Sequence, residues 1–370
     1  MPPSRIYLIW KESQVFTRYL LASCPVATFF AIASSAPAQT QGLITRPPVS
    51  HMQAPRIGLI EFFGLSKTSE VRVRQALGAR EGDFLPRSKG EAEERIDAIP
   101  GIVESHLEAV CCVDGNMILF IGVEEKGAKH FDLRSEPDGD AQLPEEVTKL
   151  YRRFLDTSEK AARFNPADDL THGHALSGDA ATRELQEQFT PVAERYLPEL
   201  RHVLHDSSDE EQRAMAAYVI DYAPDKLSIV DDLQFALKDP DAGVRSNATR
   251  ALKALAVFAH LNPASGIKVE PTWFIETLNS LSFTDRMQAL AVLQILTDDR
   301  GESAIEQMRD RALTSLVEMA RWKSLEHALP AFVLVGRLTP LDDARVQDAW
   351  TRGDRESVIA QALATVKKKK

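Results

Sequence analysis

The sequence predicts an α+β protein: a small β-α-α-β-β unit at about 56–126, followed by an all-helical repeat region at about 197–366. Three observations carry this. Short apolar runs bounded by turn residues fill the first unit, and Asp114-Gly115 separates two of them. From Leu197 onward, apolar residues recur at helical spacing in a unit that repeats.

Ile57, Leu59, Ile60, Phe62 and Phe63 make a short apolar and aromatic run closed by Gly64, which reads as a strand. Ser69 precedes Val71, Val73, Ala76 and Leu77, the spacing of an amphipathic helix that ends near Gly78 and Gly82. A second helix runs from about Ser88 to Ala98. Glu91, Glu93 and Glu94 lie toward its start, where the helix dipole favours acids, and Ile96 and Ile99 face inward. Pro100-Gly101 breaks it. The β-rich runs 102–113 and 116–123 then flank Asp114-Gly115, a hairpin signal. Three strands and two helices can bury one core.

On these residues, 56–126 resembles a POTRA domain. The likeness rests on Ile57-Gly58-Leu59-Ile60 with Phe63-Gly64-Leu65, on 71–77 followed by Glu81-Gly82-Asp83, on 96–102 and on 117–124. In the last of these, Ile118-Leu119-Phe120-Ile121-Gly122-Val123-Glu124 matches the family's apolar closing strand and its acid. The match covers about a fifth of the chain. It implies an envelope module that binds extended polypeptide by adding a strand to an exposed sheet edge. POTRA units of outer-membrane assembly and two-partner secretion usually precede a β-barrel. No series of alternating apolar strands follows here, which puts a barrel-insertion or channel role in doubt.

Residues 127–143 are polar, contain Pro137 and Gly139, and read as an interdomain linker. The stretch 144–196 reads as a helical connector. Val147, Leu150, Tyr151, Phe154 and Leu155 share one helical face, and a second helix at about 180–196 starts after Ser177-Gly178-Asp179.

The clearest repeat copy is Leu237-Lys238-Asp239-Pro240-Asp241, then Val244-Arg245, then Ala248, Ala251, Leu252 and Leu255. Before it stand Leu204-His205-Asp206, Arg213, Ala216, Ala217 and Ile220; after it come Leu278, Asp285-Arg286, Leu290 and Leu293. The arginines lie 32 and 41 residues apart. Weaker copies follow at 313–338 and 341–366. The pattern resembles HEAT repeats, whose turn between paired helices reads much like 239–245. In such a turn an Asp or Ser oxygen caps the second helix, while Arg bonds carbonyls or an acid of the neighbouring unit. Asp206, Arg213, Asp239, Arg245 and Arg286 are therefore the expected ladder residues. Helix pairs of this kind cannot bury their apolar faces alone and must stack.

The first residues concern export. Arg18 precedes the mostly apolar run 19–33, which leads into Ala36-Pro37-Ala38. This is the pattern of a signal peptide, residues 1–38, with an A-x-A site at Ala36 and Ala38 and a linker at 39–55 after it. An uncleaved anchor, or a lipobox at Leu21-Ala22-Ser23-Cys24, are the alternatives. The expected location is periplasmic or secreted, with no stable membrane span after cleavage. The net charge is −10, and loss of 1–38 takes it to −12, which disfavours nucleic acid as a partner. The basic tail 367–370 is the exception. Cys111 and Cys112, adjacent in a strand, read as plain thiols rather than a disulfide.

Catalytic patterns are sparse. Asp168, Asp169, His172 and His174 place two carboxylates and two imidazoles in one loop, the donor types a divalent metal takes, although their spacing is unspecific. No G-x-S-x-G elbow and no Gly-rich phosphate loop occur. The expectation is a non-catalytic envelope scaffold without cofactor, binding one protein at its sheet edge and a second on its repeats. The alternatives are a metal-dependent enzyme using the 168–174 loop, and a membrane-anchored outer-membrane assembly or secretion factor.

Overall fold

The computed structural model describes residues 56–113, 115–162 and 167–367. The expected signal peptide with Ala36 and Ala38, the 39–55 linker and 368–370 of the tail lie outside these residues. Strand β1 (Ile57–Phe63) is followed by helices α1 (Glu70–Leu77) and α2 (Lys89–Asp97), then by β2 (Ile102–Val113) and β3 (Asn116–Glu125). The sheet order is β1-β3-β2, with β3 parallel to β1 and antiparallel to β2. Gly78 ends α1 in the left-handed region at φ 68°, which an L side chain rarely adopts. The Ser88 side chain accepts the Glu91 N–H and starts α2.

The two helices cover one sheet face. Ile57, Ile60, Leu107, Leu119, Ile121 and Val123 meet Val73, Leu77, Ala92 and Ile96 there. Ile57 and Ile60 reach the same face despite their odd spacing because a register shift falls between Ile57 and Leu59.

The other face is buried as well. Phe63, Ile118 and Phe120, with Leu59 and Val110 packed beside them, belong to the core of the helical region. β3 is buried from Ile118 to Val123 on both sides, so neither face could be left to water. The chain is thus one α+β body rather than two units joined by a free linker.

The helical region comprises α3 (Glu145–Ala162), α4 (Ala180–Arg195), α5 (Leu197–Asp206), α6 (Glu210–Ile220), α7 (Val230–Ala236), α8 (Ala242–Leu261), α9 (Thr272–Thr277), α10 (Phe283–Leu296), α11 (Glu302–Arg311), α12 (Leu313–Ala320), α13 (Leu325–Arg337), α14 (Asp343–Thr351) and α15 (Arg355–Lys367). Consecutive helices pair: α3 with α4, α5 with α6, α7 with α8, α9 with α10, α12 with α13, and α14 with α15. Helices α6, α8, α10, α13 and α15 stand side by side in chain order, and α3 and α4 both pack on α6. The stretch read as a connector is therefore the first layer of the stack.

Residues 127–143 have no regular structure beyond an isolated bridge, yet they do not hang free. Arg134 N–H donates to Lys238 O at 2.8 Å, and Gly139 N–H donates to Asp206 O at 2.9 Å. Ser208 N–H returns a bond to Gly139 O at 2.8 Å, and Leu143 N–H meets Gln212 Oε1 at 2.9 Å. A Cβ on residue 139 would stand 2.3 Å from Asp206 O, so glycine lets this strap lie on the turns. Among the described residues, no helix is long and apolar enough to cross a membrane.

Candidate interaction surface

The stack is tied by a polar ladder running through its turns. Arg213 donates from Nε and Nη2 to the two Asp239 oxygens, each at 3.0 Å, with both side chains fully buried. Arg245 does the same one layer on, with Nε 3.0 Å from Asp285 Oδ2. Arg286 reaches Glu318 at 3.5 Å. Each arginine also donates to the carbonyl six residues back: Ser207 O at 2.8 Å, Asp239 O at 2.8 Å and Ser280 O at 2.6 Å. The side chains at those three positions accept the N–H two residues on, and Asp209, Asp241 and Ser282 there cap α6, α8 and α10.

This geometry corrects one expected ladder residue. The Asp206 side chain is 58% exposed and meets only His202, whereas Ser207 occupies the position that Asp239 and Ser280 fill in later copies. Asp206 stands one residue before the ladder position. An earlier copy precedes these three: Ser177 Oγ accepts the Asp179 N–H, Asp179 caps α4, and Arg183 donates to Ser177 O at 2.9 Å. The signal was present as Ser or Asp, any residue, Asp or Ser, three residues, Arg, at 177–183, 207–213, 239–245 and 280–286.

The third rung of the ladder is shared with the sheet. Gly64 N–H donates to Glu318 Oε1 at 2.8 Å, and the Arg286 guanidinium lies 4.3 Å from the centre of the Phe63 ring. Phe120 stacks on Phe283 at 3.9 Å and leans on Trp322 at 5.0 Å. Two strand glutamates serve the starts of α13 and α10, which pack side by side. Glu61 accepts the Lys323 and Ser324 N–H groups before α13, and Glu108 accepts the Thr284 N–H and hydroxyl at α10. Burial pushes Glu61 and Glu318 above the usual carboxylate range, against the N–H groups and Arg286 that favour their ionised forms. Burial also acts on Glu108, but hydrogen bonds from His106, Thr284 and Ser282 outweigh it and hold that carboxyl at about 2. None of these acids was singled out in the sequence; for Glu61 and Glu108 the available signal was an acid at a position of β1 or β2 facing away from α1 and α2.

The two sheet edges differ. Along β1, Ile57 N–H meets Asp83 O at 2.8 Å, Gly82 N–H meets Ile57 O at 2.7 Å, and Arg74 donates to Ile60 O at 3.4 Å. That margin is sealed over its first residues. Along β2, Leu107 N–H points outward to Glu93 Oε1 at 2.7 Å, so α2 seals the edge there. Successive strand residues alternate in the direction of their N–H groups, which sends that of Ala109 outward beyond α2, just before the register shift between Val110 and Val113. Ala109 and Cys111 are exposed, and among the described residues no strand pairs with this margin. Cys111 and Cys112, expected as two thiols because a bond between neighbours is strained, are joined here as a disulfide.

The Asp168 to His174 loop does not converge. Asp169 pairs with His172 at 3.2 Å and takes the Thr171 N–H and hydroxyl. His174 instead turns to Tyr222, 5.1 Å away, where burial together with Lys226, His172 and Arg250 lowers its pKa to about 3. Asp168 faces Arg250 and Lys253. Among the described residues, no three His, Cys, Asp or Glu side chains gather as a metal site. Neither a family model nor a curated protein matches the chain.

Proposed function

We propose that the chain is an exported, non-catalytic scaffold of a bacterial envelope, POTRA-like in its sheet unit and HEAT-like in its helix pairs. In this reading the outer margin of β2 accepts an extended polypeptide, and the helical stack holds a second protein. One observation carries it: the β2 edge at Ala109 lies beyond the Glu93 bond from α2 and, among the described residues, has no strand partner, while the other sheet face packs on the stack. A rigid sheet with a short open edge is what strand addition requires, since backbone hydrogen bonds supply the affinity. The signal-like residues 1–38 support export. The bonds that cover the first residues of β1 favour the β2 edge over the β1 edge.

The test uses an array of extended peptides probed with the mature chain. Binding should be lost when backbone N–H groups of a bound peptide are methylated at alternate positions. Ala109→Pro should abolish it too, because proline removes an outward donor without breaking the pairing to β3. Peptide binding that ignores both changes would refute the strand-addition reading.

A further inference from the structure

A cleft of about 570 Å3 opens on the sheet unit, away from the β2 margin and from the stack junction, between the start of α1 and the turn that enters β2. Its lining is Lys67, Thr68, Ser69, Arg72, Lys126 and the Pro100-Gly101 turn. Three of those side chains are cations and none is an acid. The chain as a whole carries −10, and its arginines are paired repeatedly with carboxylates elsewhere, as in Arg74 with Glu70 and Glu81. Among the described residues, Lys67, Arg72 and Lys126 form no ion pair. The Lys67 ammonium instead donates to the Lys126 carbonyl at 3.0 Å, which holds it against the cleft wall.

The nearest buried carboxylate is already satisfied. Glu125 takes the N–H groups of Ser66, Lys67 and Thr68, at 3.1, 2.8 and 2.6 Å. Burial works against its charge, but the bonds from Ser66, Thr68 and Lys67 outweigh it and hold the carboxyl at about 2. Its oxygens are taken up by the backbone of the 66–68 turn, and Lys67, Arg72 and Lys126 are exposed. The Ser69 hydroxyl makes no capping bond to α1 and remains available as a donor. Cations that share a concave surface with no acid focus a positive potential into it.

We propose that this cleft binds a phosphate-bearing anion through Lys67, Arg72 and Lys126, with Arg72 able to offer two parallel donors to two phosphate oxygens. The same chemistry is presented by a soluble phosphate ester and by the phosphate of an anionic lipid headgroup. The site is independent of strand addition.

The experiment titrates the mature chain with inorganic phosphate at about 0.1 M ionic strength, where the Debye length is about 10 Å, followed by calorimetry, and in a second arm sediments it with phosphatidylglycerol vesicles. Lys67→Ala/Arg72→Ala/Lys126→Ala is compared with Arg152→Ala/Arg153→Ala/Lys160→Ala on α3, which removes the same charge from another surface. Both variants are checked by circular dichroism for the wild-type fold. The cleft variant should weaken binding about tenfold or more, and the α3 variant about twofold or less, because only cations in contact with the anion contribute strongly across the Debye length. Loss in the phosphate arm identifies a site for soluble esters, and loss confined to the vesicle arm identifies a headgroup site. Absence of binding in both arms, or equal weakening by the two variants, overturns the proposal.

Discussion

The Arg286 guanidinium lies 4.3 Å from the centre of the Phe63 ring, so the third rung of the helical ladder ends on the first strand of the sheet. Arg286 is buried and reaches Glu318, which also takes the Gly64 N–H. Sheet and stack therefore share polar as well as apolar contacts, and perturbing their junction should be felt by both.

Phe120 is the apolar centre of that junction, fully buried against Phe283 and Trp322. Phe120→Ala should lower the unfolding free energy by about 3–5 kcal/mol, the usual result of truncating a buried aromatic side chain. Urea unfolding followed by circular dichroism and by tryptophan fluorescence checks this. In the wild type both probes should report one transition.

The ladder separates two neighbouring acids. Arg213→Ala removes the bidentate partner of a fully buried Asp239 and leaves it only the bond from Arg134, so the loss should be about 3 kcal/mol, the low end for breaking a buried pair. Asp206→Ala removes a side chain that is 58% exposed and should stay within about 0.5 kcal/mol. Urea midpoints of the two variants decide between Ser207 and Asp206 as the ladder position.

Acid should weaken the sheet through Glu125. Its folded pKa, about 2, lies below its ordinary value of 4.5, so its contribution is fully present above about 4.5 and is lost as the pH falls toward 2. Glu108, also held at about 2, acts in the same window. Glu61 and Glu318 are raised and act in the opposite sense: what they contribute is present below the ordinary carboxylate value and is lost as pH rises through their folded values. Stability measured against pH should therefore fall between about 4.5 and 2, and Glu125→Gln should flatten that limb while lowering stability at neutral pH.

The 168–174 loop offers a plain test of the metal alternative. With Asp169 engaged by His172 and Thr171, and His174 set among cations, metal analysis of the purified chain should find less than one equivalent. His172→Ala and His174→Ala should leave that figure unchanged. A full equivalent that disappears in these variants would restore the metal reading.

The order of elements in 57–125 could be read because its boundaries carry backbone chemistry: Gly78 in the left-handed region, Ser88 as a cap, and a hairpin turn at Gly115, where φ is 77°. Arg213, Arg245 and Arg286 stood out because a buried cation recurring among Ala and Leu is costly without a partner. What could not be read was the docking. Phe63 and Phe120 look the same on a strand whether they face a lone sheet's own core or a neighbouring layer, and Glu61 and Glu108 look like solvated strand acids until their helix partners are in place. The strap at 127–143 was hidden for a related reason, since its bonds start from backbone atoms and from Arg134, whose guanidinium ends on the Leu204 and His205 carbonyls and on Asp239, and no recurring residue pattern announces them.

The open β2 margin can be measured directly by amide hydrogen exchange, residue by residue, in the chain without a guest. Leu107 N–H, bonded to Glu93, should exchange slowly, while that of Ala109 should exchange at least tenfold faster, roughly as an unbonded edge amide does. Equal protection at the two positions would mean that something already covers the edge, and strand addition there would be ruled out.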